Sequence, residues 1–310
     1  MLFVRVISFL LLLATAWIAF AEEPATRVKL RAKPPTWSQD VLDAFFDDAR
    51  EQLVGERPQA GTLAVSGHPI LPVETFRRDG MIRWSDLVDA DTLASEIKRL
   101  NIALAAGLSK PAQFKGGGNL DCRRDFGLLA VMFGGIADFD KEVRWQESAT
   151  TMQRAMLKTS EVCKAASDQS YSAAQNVQLL LADLLRGQTA APPKLSEKAD
   201  GLADRTLLMQ RMEQALEKNI SLSLANAREF RKKKRDIVHE AQLLALLAQV
   251  IRQEGYEFTD DETYLNYSDQ LREHSRELRR ACDESNYEAA RAAAGKVSQS
   301  CSECHEGYRG

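Results

Sequence analysis

"FRKKKRDIVHEAQLLALLAQ" (residues 230–249) is the stretch that decides the fold. Leu243, Leu244 and Leu247, followed by Val250 and Ile251, recur at the spacing of an amphipathic helix. A related stretch lies upstream, "FKGGGNLDCRRDFGLLAVMF" (114–133). At a constant offset Phe114 meets Phe230, Leu128 meets Leu244 and Val131 meets Leu247. Further on, "DFDKEV" (138–143) pairs with "EFTDDE" (257–262), Cys163 pairs with Cys282, and "YSAAQNV" (171–177) pairs with "YEAARAAAGKV" (287–297). Identity is low, and two Ala/Leu-rich helical stretches can also resemble each other by chance. The expectation is nevertheless a duplicated unit.

Each unit reads as four helices. In the second they are expected at about 202–218, 227–253, 261–284 and 286–307. Asp260 or Asp261 can cap the third, Asn286 can cap the fourth, and Gly255 separates the second from the third. Short connections favour antiparallel neighbours. The fold class is therefore all-α, as two tandem antiparallel four-helix bundles. Composition agrees, with 45% hydrophobic residues, 27% charged, only 7% aromatic, and hardly any strand-like alternation. The expected parts are a signal peptide (1–21), a helix with an irregular extension (22–82), a first bundle (83–187), a linker (188–201) and a second bundle (202–310). Within the extension, "WSQDVLDAFFDDAREQLVG" (37–55) reads as one amphipathic helix.

The chain opens "MLFVRVISFLLLLATAWIAFAEEPAT". Arg5 precedes an apolar run from Val6 to Phe20, and Ala19-Phe20-Ala21 has the small-x-small pattern of a cleavage site. The run falls short of the roughly 20 residues needed to span a bilayer. Export to the periplasm with cleavage after Ala21 is expected, and no membrane span. A net charge of −3 gives no reason to expect a nucleic-acid partner.

The chemistry lies at the C-terminus, in "SQSCSECHEGYRG" (298–310). Cys301, Cys304 and His305 form C-x-x-C-H. Half a zinc site would need further ligands, and a redox dithiol would need a βαβ setting. Neither is visible in the sequence. Covalent haem attachment remains: two thiols at i and i+3 share a helix face, and the adjacent histidine can reach the iron as proximal ligand. One haem c is expected. In an up-down bundle the end of the fourth helix lies near the start of the first, where Met209 and Met212 stand at i and i+3. Met209 is the expected sixth ligand, Met212 the alternative. An open site or core packing by either methionine stays possible. His239, His68 and His274 are read as structural or surface residues. In the first unit Leu181, Leu184 and Leu185 align with Cys301, Cys304 and His305, so no haem is expected there.

Residues 202–310 resemble the cytochrome c-prime family and its low-spin relatives. The resemblance rests on the C-terminal Cys301, Cys304, His305, Tyr308 and Arg309, and on Arg205 four residues before Met209. It implies that Arg205 and Arg309 lie near the haem and that the chain could form a homodimer. Low-spin relatives place Met where Met209 stands. The resemblance covers about a third of the chain, and its match is weaker between the second and third helices.

The expected function is single-electron transfer between redox partner proteins, and not catalysis. The alternatives are a five-coordinate gas-binding or sensing protein, and peroxidase-like chemistry using Arg205, Gln210 or Arg211. Cys122 and Cys163 fall at the same end of antiparallel helices and are an expected disulfide in an oxidising compartment. Cys282 is then left as a buried small apolar residue or for an intermolecular bond. The basic run 230–236 is a solvated helix face or a docking patch for an acidic partner. "KGGGN" (115–119) reads as a turn.

Overall fold

A computed structural model describes residues 82–188 and 201–309. The expected signal segment, the helix at 37–55, His68 and most of the linker lie outside these residues. The described residues all belong to one compact unit, Phe76–Gly310. They are helical, and no strand occurs among them. Among them, too, no helix is long and apolar enough to cross a membrane.

Among the described residues eight main helices follow one another: α1 (Ala90–Gly107), α2 (Asn119–Ala137), α3 (Gln146–Val162), α4 (Asp168–Leu185), α5 (Arg205–Glu213), α6 (Ala227–Val250), α7 (Glu262–Asp283) and α8 (Tyr287–Tyr308). A short turn, Trp84–Leu87, precedes α1. α5 opens into a wide π-type stretch, Gln214–Ile220, before a last turn at Ser221–Ser223. The later helices thus lie within a few residues of the positions expected from periodicity.

Their starts follow from local chemistry. Asp204, Asn226, Asp261 and Asn286 each accept a hydrogen bond from a first-turn amide of α5, α6, α7 and α8, and Ser167 forms a capping box with Ser170 on α4. Of the two candidate caps for α7, Asp261 is the one used. Gly255, at φ 100°, turns the chain between α6 and α7. Gly117, at φ 117°, makes "KGGGN" the expected turn.

α2 packs between α1 and α3, and α4 returns to contact both α3 and α1. Likewise α6 packs on α5 and α7, while α8 pairs with α7 and reaches the π-type stretch. The two sets of helices also touch, through α2 on α5 and α1 on α6. One continuous apolar core runs through both, from Leu93, Ile97, Phe126 and Phe133 to Leu208, Leu244, Leu247 and Leu278.

One detail recurs in the two sets. The Phe114 and Tyr171 rings meet edge-on at 5.5 Å, and the Tyr171 hydroxyl donates to the Leu108 carbonyl at 2.8 Å. The Phe230 and Tyr287 rings meet at 5.6 Å, and the Tyr287 hydroxyl donates to the Leu224 carbonyl at 3.1 Å. Phe230, Tyr287 and Leu224 all stand at the same sequence offset from Phe114, Tyr171 and Leu108. In both sets the tyrosine ties the start of a fourth helix to the end of a first.

Candidate functional site

α8 is rich in alanine, the strongest helix former, and Asn286 starts it. It continues without a break through Cys301, Cys304 and His305. Both cysteines are half-buried and His305 is exposed at the cleft rim. α7 and the loop before it hold the end of α8 in place. Tyr308 donates a 2.7 Å hydrogen bond to Asp261 Oδ2 and packs edge-on against Phe258 and Tyr264.

Beside this end of α8 opens a cleft of about 1280 Å³, above the usual range of small-molecule pockets. Cys301, Cys304 and His305 line it from α8. Arg205, Met209, Met212 and Leu216 line it from α5 and the π-type stretch. Tyr256, Tyr267, Leu271, Tyr308 and Arg309 complete much of the rest. The structure therefore places the two thiols, the histidine, both methionines and both arginines named in the sequence around one space.

Arg205 pairs with Glu257 at 2.6 Å and lies 5.0 Å over the Phe258 ring. Its Nη1 is buried without a hydrogen-bond partner, as is the Tyr256 hydroxyl. Burial also pushes the Tyr256 hydroxyl well above the usual phenol range. The lining is mixed, with Met209, Met212, Leu216 and Leu271 beside carboxylates such as Asp204, Glu213 and Glu254, and the unpartnered Arg205 donor is left for an acceptor that enters the cleft.

Burial pushes the Cys301 thiol up to about 11, with Cys304 adding a smaller effect. Burial also raises Cys304, against the pull of Arg205. Thiol–disulfide exchange calls for the opposite, a depressed thiol. Among the described residues no group of three or more His, Cys, Asp or Glu side chains is placed to hold a metal ion, so the four ligands of a structural zinc site are not assembled there.

His239 and His274 are absent from the cleft lining. His239 Nε2 is 3.2 Å from Glu96 Oε2, and His274 Nδ1 is 2.9 Å from Ser300 Oγ. Arg211 is absent from that lining too. It is buried between Glu96 and Glu240, at 3.1 and 2.7 Å, so only Arg205 and Gln210 of the three suggested polar groups face the cleft. This buried network escaped sequence reasoning. Its one signal was a pair of charges, Arg211 and Glu240, set within otherwise apolar helix stripes.

In the earlier helices Leu181 is fully buried, and Leu184 and Leu185 pack against the same core. Leu93, at the offset that relates Phe114 to Phe230, stands where Met209 stands and is also fully buried. Cys122 and Cys163 are buried free thiols, each raised to about 12 chiefly by burial. Cys122 contributes further to the shift at Cys163. Cys282 is buried and raised to about 12 for the same main reason. Residues 231–233 and 235–236 of the basic run are exposed; Lys233 pairs with Asp236 and Lys234 donates to Ser285.

No family model, no curated protein and no solved structure matches the chain.

Proposed function

We propose that the chain is an exported c-type cytochrome that carries single electrons between redox partner proteins. One observation carries the reading: the C-x-x-C-H of α8 opens onto a large cleft that α5 lines with Met209 and Met212. Cys301 and Cys304 would hold one haem c covalently, and His305 would bind its iron from one side. Met209 would bind from the other, with Met212 as the alternative. Arg205, through its unpartnered Nη1, and Arg309 would face the acidic edge of the group. Haem, when bound, supplies a centre that gains and loses one electron. The protein's part is to hold it, to shield it with Leu216, Leu271 and the Tyr308 cluster, and to set its axial ligands.

The proposal extends to the fold. The recurring Phe–Tyr pair with its carbonyl bond supports two tandem four-helix bundles of common origin, of which only the second keeps haem-binding residues. Leu93, Leu181, Leu184 and Leu185 would replace with hydrocarbon the four groups around the haem. Residues 1–21 would be the export signal, and the bundles could pair as a homodimer.

Intact mass and the optical spectrum of the exported protein test this. One haem, retained under denaturing extraction, on a chain beginning at Glu22, and a low-spin reduced spectrum are expected. Absence of haem, or two haems, refutes the proposal. A high-spin reduced form that takes up carbon monoxide would replace electron transfer by gas binding.

A further inference from the structure

We infer that the haem-less helices α1–α4 act as a clamp that sets the rotation of α5, with Arg211 as its main positioning residue. The consequence at Met209 rests on the haem reading; the clamp itself does not.

α5 is only nine residues long before it loosens into the π-type stretch. A helix so short does not hold itself in water. Its placement must come from what it touches. Two separate stripes of side chain run along it.

The first stripe is Asp204, Leu207 and Arg211, at i, i+3 and i+7. Asp204 caps Thr206 and also accepts from Arg123 Nη2 of α2 at 2.5 Å. Arg123 is itself held, its carbonyl accepting from Ser160 Oγ of α3 at 2.8 Å. Leu207 fits against Gly127 of α2. A Cβ there would stand 3.1 Å from Leu207 Cδ1 and 3.4 Å from Ser160 Oγ, so glycine permits the close approach. Arg211 donates from Nε to Glu96 of α1 at 3.1 Å and from Nη1 to Glu240 of α6 at 2.7 Å. Arg99 donates twice to Glu96 at 2.7 Å, and Asn219 donates to Glu240 at 2.7 Å. Arg211 and Glu96 are almost wholly buried. A planar guanidinium held from two directions restrains rotation about the helix axis in a way an apolar contact cannot.

The second stripe is Arg205, Met209, Met212 and Leu216, and it lines the cleft. It lies roughly a third of a turn from the first. Any rotation of α5 therefore moves Met209 and Arg205 together in the cleft. Arg205 is held on its own side by Glu257; the first stripe adds three contacts that resist the rotation, and two of them, at Arg123 and Gly127, come wholly from the helices without haem residues. The third joins Glu96 of those helices to Glu240 of α6. The earlier half of the structure thus acquires a role with no chemistry of its own.

The test uses the full chain as isolated, with Gly127→Ala, Gly127→Ala/Leu207→Val and Arg211→Leu. Amide hydrogen exchange across Leu207–Glu213 reads the clamp; the reduced optical spectrum reads its effect at Met209. Gly127→Ala should keep its helical circular dichroism, yet exchange α5 amides at least about tenfold faster and gain high-spin, carbon-monoxide-binding character. The compensating Leu207→Val should reverse both, and Arg211→Leu, if it folds, should exceed Gly127→Ala. Unchanged α5 exchange in Gly127→Ala overturns the clamp. Faster exchange with an unchanged low-spin spectrum overturns its control of Met209. If the isolated protein carries no haem, the haem reading fails on its own, and the exchange measurement still decides the clamp.

Discussion

Tyr308, the last residue of α8, donates its hydroxyl to Asp261, the residue that caps α7. One carboxylate thus starts one helix with Oδ1 and ties down the end of the next with Oδ2. The hydrogen bond from Tyr308 is the main reason the Asp261 carboxyl lies below its ordinary value. A depressed carboxylate contributes stability that is present above its unfolded value and lost as pH falls through the folded one. In Tyr308→Phe, Asp261 should titrate at higher pH than in the parent, and the last turn of α8 should exchange its amides faster. Carboxyl and amide NMR would measure both; an unmoved Asp261 titration would show that the bond is not formed in solution.

Asp125 behaves in the opposite sense. Burial raises its carboxyl to about 6, only partly countered by Arg124 and Arg99. Stability associated with a raised carboxylate is fully present below the unfolded value, near 4, and is lost as pH rises through about 6. Asp125→Asn should therefore stabilise the protein near pH 8, by an amount on the order of 2–3 kcal/mol, and have little effect near pH 4. Urea unfolding at the two pH values checks this. A destabilised variant at pH 8 would show that the ionised carboxylate is needed by Arg99 and Arg124.

Cys122 and Cys163 should form a disulfide once the protein is exported, since both are buried on neighbouring helices and Cys122 is close enough to add to the shift at Cys163. Peptide mapping without reduction should recover the linked pair, and the bond should contribute roughly 3–4 kcal/mol. Cys282, fully buried, should alkylate only after unfolding. Free Cys122 and Cys163 thiols in exported protein would contradict the pairing.

Leu181 lies fully buried where the aligned position in α8 is Cys301, whereas Leu184 and Leu185 are only partly buried. Leu181→Ala should cost about 2–5 kcal/mol, and either of the other two changes distinctly less. Equal, small losses for all three would mean that this end of the earlier helices is not packed as a core.

On the proposed function, Met209→Ala should convert a low-spin reduced haem to high spin, admit carbon monoxide and lower the reduction potential. Met212→Ala should do none of these. The reverse result would place the ligand one turn further along α5. A response to His239→Ala alone would contradict the structure, in which His239 sits beside Glu96.

What the sequence determined by itself is short in range. Helix periodicity, the caps Asp261 and Asn286 and the turn at Gly255 depend on residues within a few positions of one another, so they were legible, and the later helices lie close to where they were expected. The face shared by Cys301, Cys304 and His305 follows from i, i+3 and i+4 spacing in the same way. Which residues α5 turns toward its neighbours was decided only by tertiary structure. Arg211 looked as available to the cleft as Arg205, because helical phase says which side chains share a stripe and not what that stripe meets. Glu96 and Gly127 stand far from α5 in the chain, and nothing local marks them as its partners. Their selection comes from burying a guanidinium beside two carboxylates and seating a leucine against a missing Cβ, both of which exist only after the helices have packed.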